Sequence, residues 1–74
     1  MVLRIELDPE EDGSWFAQVP ALGVRCHGDY HADAVIKIQA LALRDLADRV
    51  ERWEYPAESL EITFRLPGQT SSED

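Results

Sequence analysis

A chain of 74 residues, 45% hydrophobic and 30% charged, is long enough for one small domain and too short for two, and its composition is globular rather than collagen-like, disordered or membrane-spanning. Fifteen acidic against seven basic side chains give a formal charge of −8, which repels phosphate backbones and anionic lipid and so argues against a nucleic-acid or membrane partner. The single cysteine, Cys26, has no intramolecular partner, and neither a basic start followed by an apolar stretch nor an apolar run of membrane-crossing length is present; the expected location is the cytoplasm.

Leu3, Ile5 and Leu7 alternate with Arg4, Glu6 and Asp8, the period of two that sends one side of a strand into a core and the other into water. Asp8-Pro9-Glu10-Glu11-Asp12-Gly13 then reads as a short acidic hairpin loop, with Asp12-Gly13 supplying positive-φ chemistry. A second strand follows from Ser14 to Val19, with Trp15, Ala17 and Val19 on one face and Ser14, Phe16 and Gln18 on the other, until Pro20 removes a ladder donor. After Pro20-Ala21-Leu22-Gly23, Val24 and Cys26 alternate with Arg25 and His27 up to Gly28, which predicts a third strand in a meander.

From about His31 to Trp53 the period becomes 3.6. Val35, Ile38, Ala42, Leu46, Val50 and Trp53 fall within one stripe of a single long helix. Asp33 with Lys37, Arg44 with Asp48, Asp45 with Arg49 and Asp48 with Arg52 are opposite charges four apart, each worth a few tenths of a kcal/mol on a solvated face. The helix must stop before Pro56. Leu60, Ile62, Phe64 and Leu66 alternate with Glu61, Thr63 and Arg65, a last strand closed by Pro67-Gly68. The domain is therefore expected over residues 1–66, with a disordered polar tail over 67–74.

The predicted fold is α+β, in the order β-β-β-α-β: an antiparallel-rich sheet with one helix on one face, since that helix alone can cover the apolar side of four amphipathic strands. Periodicity leaves the last strand's position in the sheet open. Ile36, Leu43 and Ala47 lie on a second helical stripe, and Phe16 faces away from Trp15. This surplus apolar surface is either the rim of a broad core or an interface, and Phe16, Ile36 and Leu43 are the candidate contacts of a homodimer.

Chemistry gets little support from the residues. Cys26, His27 and His31 are the soft metal ligands, but neighbours on a strand point to opposite faces and structural zinc wants four groups at motif spacing. They read as a small buried thiol and two solvated imidazoles. The same geometry denies Cys26 and His27 a nucleophile–base arrangement. A metal-dependent nuclease or glycosidase would need carboxylates converging on a cleft, whereas these cluster in a turn, along a helix face and in the tail. No phosphate-cradling glycine motif is present. Trp15 and Trp53 have no basic surroundings in sequence and read as core aromatics. No catalytic residue, metal or cofactor is expected, and a negative surface on a compact module suits a basic protein partner.

Asp12-Gly13-Ser14-Trp15-Phe16-Ala17-Gln18-Val19-Pro20-Ala21-Leu22-Gly23-Val24, with Gly28 and the helix opening Ala32-Asp33-Ala34, resembles the N-terminal domain of HicB-family antitoxins. Ala40-Leu41-Ala42-Leu43-Arg44-Asp45-Leu46-Ala47-Asp48-Arg49 is similar to the helix of short HicB-like proteins. The likeness covers residues 2 to 66 and rests on the order of modest motifs. It implies a partial ribonuclease-H-like fold without the nuclease carboxylates, and a domain that masks HicA, a small basic toxin that cleaves messenger RNA. The chain departs from the family in three places. Only a short tail follows Leu66 where many members carry a DNA-binding segment, so direct DNA binding is not expected. Leu22-Gly23-Val24 lacks the family's proline, and Tyr30 stands where a capping threonine is usual, leaving Asp29 as the expected cap.

The resulting expectation is an antitoxin-like module, not an enzyme, that sequesters a basic partner through Asp8, Glu10, Glu11 and Asp12 of the turn and Asp33, Asp45 and Asp48 of the helix. The alternative is a stand-alone oligomeric domain, a scaffold or small-ligand binder without a toxin partner. A metal-dependent hydrolase is the remote third.

Overall fold

The computed structural model describes residues 1–52, 54 and 61–67. Its elements are β1 (Val2–Arg4), β2 (Glu6–Pro9), β3 (Trp15–Val19), β4 (Val24–Gly28), α1 (His31–Glu51) and β5 (Thr63–Arg65). The predicted order holds: the chain is α+β and, among the described residues, has a three-stranded antiparallel sheet β2-β3-β4 with a single helix, and β5 paired to β1.

The first predicted strand is one alternating run that changes partner at Ile5. Before it, β1 pairs in parallel with β5, Val2 beside Thr63, Leu3 beside Phe64 and Arg4 beside Arg65. After it, β2 pairs antiparallel with β3, from Glu6 beside Gln18 to Pro9 beside Trp15. The amide of Ile5 itself donates to the carbonyl of Arg65 at 2.9 Å, so the break in regular pairing leaves no orphaned donor. The alternation runs unbroken through the switch: Leu3 and Ile5 are buried and Leu7 half-buried, while Arg4, Glu6 and Asp8 are exposed. The position of the last strand is thereby settled as the far side of β1, running parallel to it.

Two glycines make the hairpin turns. Gly13 sits at φ 95 and Gly23 at φ 72, the left-handed region in which a side chain is strained. In the β2–β3 turn the Glu10 amide donates to the Ser14 carbonyl at 2.8 Å and the Gly13 amide to the Glu10 carbonyl at 3.1 Å. In the β3–β4 turn Gly23 donates to the carbonyls of Val19 and Pro20, and Leu22 is folded back into the core.

The helix buries Ala34, Ile38, Ala42 and Leu46, a row with a spacing of four, against the sheet. With Leu3, Ile5, Ala17, Val19 and Leu22 they form one core, and each fully buried aliphatic such as Ile38 contributes about 1.5–3 kcal/mol. Gly28 and Ala34 let helix and sheet approach closely. Val50, expected on the core stripe, is exposed instead; it stands four residues beyond Leu46, at the margin where the stripe turns outward. The helix ends at Glu51, with Arg52 at φ −91, ψ 11 as its cap, and the expected extension to Trp53 lies outside the described residues. So do Leu60 of the last predicted strand and the tail from residue 68. Among the described residues no helix is long and apolar enough to cross a membrane.

The helix start corrects the expected cap. Tyr30 occupies the N-cap position without a side-chain cap bond. The Asp29 side chain does not cap; rather the Asp29 amide donates to the Asp33 carboxylate at 2.8 Å, because an acid in the first helical turn can reach back to the preceding backbone. Three of the four expected helical ion pairs form: Asp33 with Lys37 at 3.1 Å, Asp45 with Arg49 at 2.6 Å, and Asp48 with Arg52. Arg44 does not pair with Asp48, whose carboxylate is taken by Arg52.

Candidate functional site: the acidic hairpin tip

The β2–β3 turn gathers three consecutive acids, Glu10, Glu11 and Asp12. Glu10, Glu11 and Asp12, with Ser14 of the same turn and His27 of β4, line an open depression of about 430 Å³. Its shape follows from the turn. Pro9 ends β2 opposite Trp15, Gly13 reverses the chain, and Asp12 closes the loop on itself: its carboxylate accepts the Ser14 amide at 2.9 Å and the Ser14 hydroxyl at 2.6 Å. These two bonds favour the ionised form and hold the Asp12 carboxyl below the ordinary aspartate value.

His27 enters the depression because β4 places it beside Phe16 in register. The two rings pack at 5.3 Å between centroids, tilted by 56°. His27 Nε2 lies 3.8 Å from a Glu10 carboxylate oxygen, and both side chains are well exposed, so the pairing is weak. Asp8, on the outward face of β2 beside Phe16, extends the acidic surface along the sheet.

Of the seven predicted contact acids, the structure therefore brings Asp8, Glu10, Glu11 and Asp12 to one end of the sheet. Asp33, Asp45 and Asp48 lie apart on the helix, each neutralised by a cation one turn away. Arg49, the partner of Asp45, also reaches the Leu22 carbonyl at 3.4 Å and Glu54 at 3.8 Å, tying the helix to the β3–β4 turn. Asp33 is held below its ordinary value, first by the Asp29 amide and then by Lys37. Sequence reasoning placed all seven in one class because charge pairing along a helix does not show which acids keep net charge.

The candidate interface residues also divide. Phe16 is half-buried on the sheet face turned away from the helix, whereas Ile36 and Leu43 are exposed on the helix itself. One continuous patch cannot contain all three.

Cys26 points inward from β4 and is half-buried; burial pushes its thiol above the ordinary cysteine value. His31 stacks edge-on against Trp15, with centroids 4.8 Å apart and planes at 88°. Sequence reasoning missed this contact, which joins residues sixteen apart through the approach of the helix to β3. Among the described residues no three His, Cys, Asp or Glu side chains converge as metal ligands do. Comparison with protein-family models, curated proteins and solved structures finds no match to the chain.

Proposed function

We propose that this chain is a protein-binding module whose acidic hairpin tip docks a small basic protein, acting by association rather than catalysis. The observation that carries this reading is the unequal pairing of the acids: the helix carboxylates each have a cation one turn away, while Glu10, Glu11 and Asp12 crowd one turn beside the exposed His27, whose imidazole lies 3.8 Å from Glu10. Unneutralised charge at a protruding tip raises association rates with a basic surface and orients the encounter.

The resemblance to HicB N-terminal domains supplies the partner class, a HicA-type toxin whose basic RNA-binding surface an anionic module would occlude. That role carries a cytoplasmic location, where messenger RNA is found and a lone thiol stays reduced. Titrating the chain into such a toxin during RNA cleavage tests it. Complex formation with loss of cleavage is expected, and a Glu10→Lys/Glu11→Lys variant should lose both. Neither binding nor protection by the natural chain would refute the proposal. The stand-alone oligomeric reading is favoured by one specific observation, the exposed Ile36 and Leu43.

A further inference from the structure

The outer side of α1 carries an apolar row that the core does not use. Ile36, Ala40, Leu43, Ala47 and Val50 follow one another at spacings of four, three, four and three, the seam of a heptad repeat. Ile36 is 66%, Leu43 47% and Val50 39% exposed, although the opposite side of the same helix is fully buried through Ala34, Ile38 and Ala42. A helix that only covered its sheet would be polar there.

We infer that this seam is an antiparallel helix–helix interface between two copies of the chain. Large and small residues alternate along it, so a second copy running the other way sets an alanine opposite Leu43 and Val50, while Ile36 lies past the end of the second helix. Leu43 meets Ala47 of the second copy, Val50 meets Ala40, and the two-fold axis repeats both layers. Such pairing permits close approach of the helix backbones, whereas a parallel copy in register stacks large on large and leaves alanines facing alanines. On one flank of the seam Lys37, Arg44 and Glu51 follow one another, and the antiparallel arrangement brings Lys37 beside Glu51 of the second copy at both ends, with the two Arg44 side chains adjoining at the axis. An apolar depression of about 390 Å³ adjoins the seam, floored by Leu46 and Ile62, and widens the surface that a second helix would cover.

The seam runs over about 21 Å of helix. A contact of that length falls at the small end of specific interfaces, so the dimer is weak and concentration-dependent. It is independent of the hairpin tip, which lies at the end of the sheet.

Sedimentation equilibrium of the full chain, over a concentration series reaching about 1 mM, the affinity range of weak contacts, should show a monomer–dimer equilibrium. Leu43→Glu should abolish the dimer with an unchanged circular dichroism spectrum, because Leu43 is not a core residue. Ala47→Leu adds apolar surface and should nevertheless weaken association at least tenfold, since it fills the space that Leu43 of the second copy needs. Lys37→Glu and Glu51→Lys should each weaken it several-fold and together restore it. A monomer at 1 mM, or a dimer untouched by Leu43→Glu, would overturn the interface; strengthening by Ala47→Leu, or failure of the charge exchange to restore, would overturn its antiparallel register. Glu10→Lys/Glu11→Lys should leave the dimer mass unchanged.

Discussion

A Cβ on Gly28 would stand 2.3 Å from the Ala34 amide nitrogen and 2.5 Å from its Cα, so the last residue of β4 and the first turn of α1 are in backbone contact. Both atoms belong to the main chain and neither can rotate away. Gly28→Ala must therefore lift the helix off the sheet, and we expect a loss of about 3 kcal/mol or more. Urea denaturation of the two proteins measures it. Gly13→Ala serves as the control: nothing lies within 4 Å of its added Cβ, and only the φ of 95 is strained, at a cost of about 1 kcal/mol.

Two isoleucines one turn-face apart should behave oppositely. Ile38 is 0% exposed at the centre of the core, and Ile38→Ala should cost about 2–5 kcal/mol through lost transfer energy and the cavity left behind. In a domain of this size each kcal/mol lowers Tm by roughly 4–8 °C. Ile36→Ala, on the outward side, should change the stability of the isolated chain by less than about 0.5 kcal/mol. Thermal unfolding at low micromolar concentration separates the two.

The Asp12–Ser14 turn predicts a pH dependence with a definite sign. The Asp12 carboxyl is depressed below its reference of 3.8 by the Ser14 hydroxyl and amide. The unfolded chain thus binds this proton more readily than the folded one, so the stabilisation is complete above about pH 4 and is lost as pH falls through the folded value. Ser14→Ala removes the leading cause. Its Asp12 carbon resonance should titrate at higher pH than in the natural chain, and the stability gap between the proteins should close in acid. Identical titrations would count against the turn bond.

Cys26 should be a poor nucleophile. Burial on the inner face of β4 raises its thiol above the reference of 9.0, which lowers the thiolate fraction at pH 8. Reaction with an aromatic disulfide reagent should be slower than that of a free peptide thiol and should reach the peptide rate in denaturant. Equal rates in both conditions would contradict the burial.

The strands and the helix were legible because their signals are local. Alternation at Leu3–Leu7, Trp15–Val19 and Val24–His27 and the helical stripe through Ile38, Ala42 and Leu46 need no knowledge of partners. The partner switch at Ile5 was not legible, because an alternating strand reads the same beside a parallel or an antiparallel neighbour. Val50 was placed inward because its spacing suits both sides of the helix, and only the reach of the sheet decides between them. Arg44 was paired with Asp48 because both spacings of four around Asp48 are permissible, and one carboxylate cannot serve Arg44 and Arg52 equally. The acidic tip was visible as Glu10-Glu11-Asp12. Its contrast with the helix acids was not, since that depends on which cations fold against them.

The β1–β5 ribbon joins residues about sixty apart, Val2 to Thr63 and Arg4 to Arg65, while both hairpins join neighbours. Closing so long a loop costs roughly 3–4 kcal/mol of chain entropy, repaid by a ribbon only three pairs long. Local pairing in the meander and helix is therefore expected to precede the closing of this ribbon, which brings Leu3 and Ile5 into the core. A short ribbon closed at that cost should open more readily than the meander, and native-state hydrogen exchange checks it: the amides of Ile5 and Thr63 are expected to exchange sooner than those of Ala17 or Ile38.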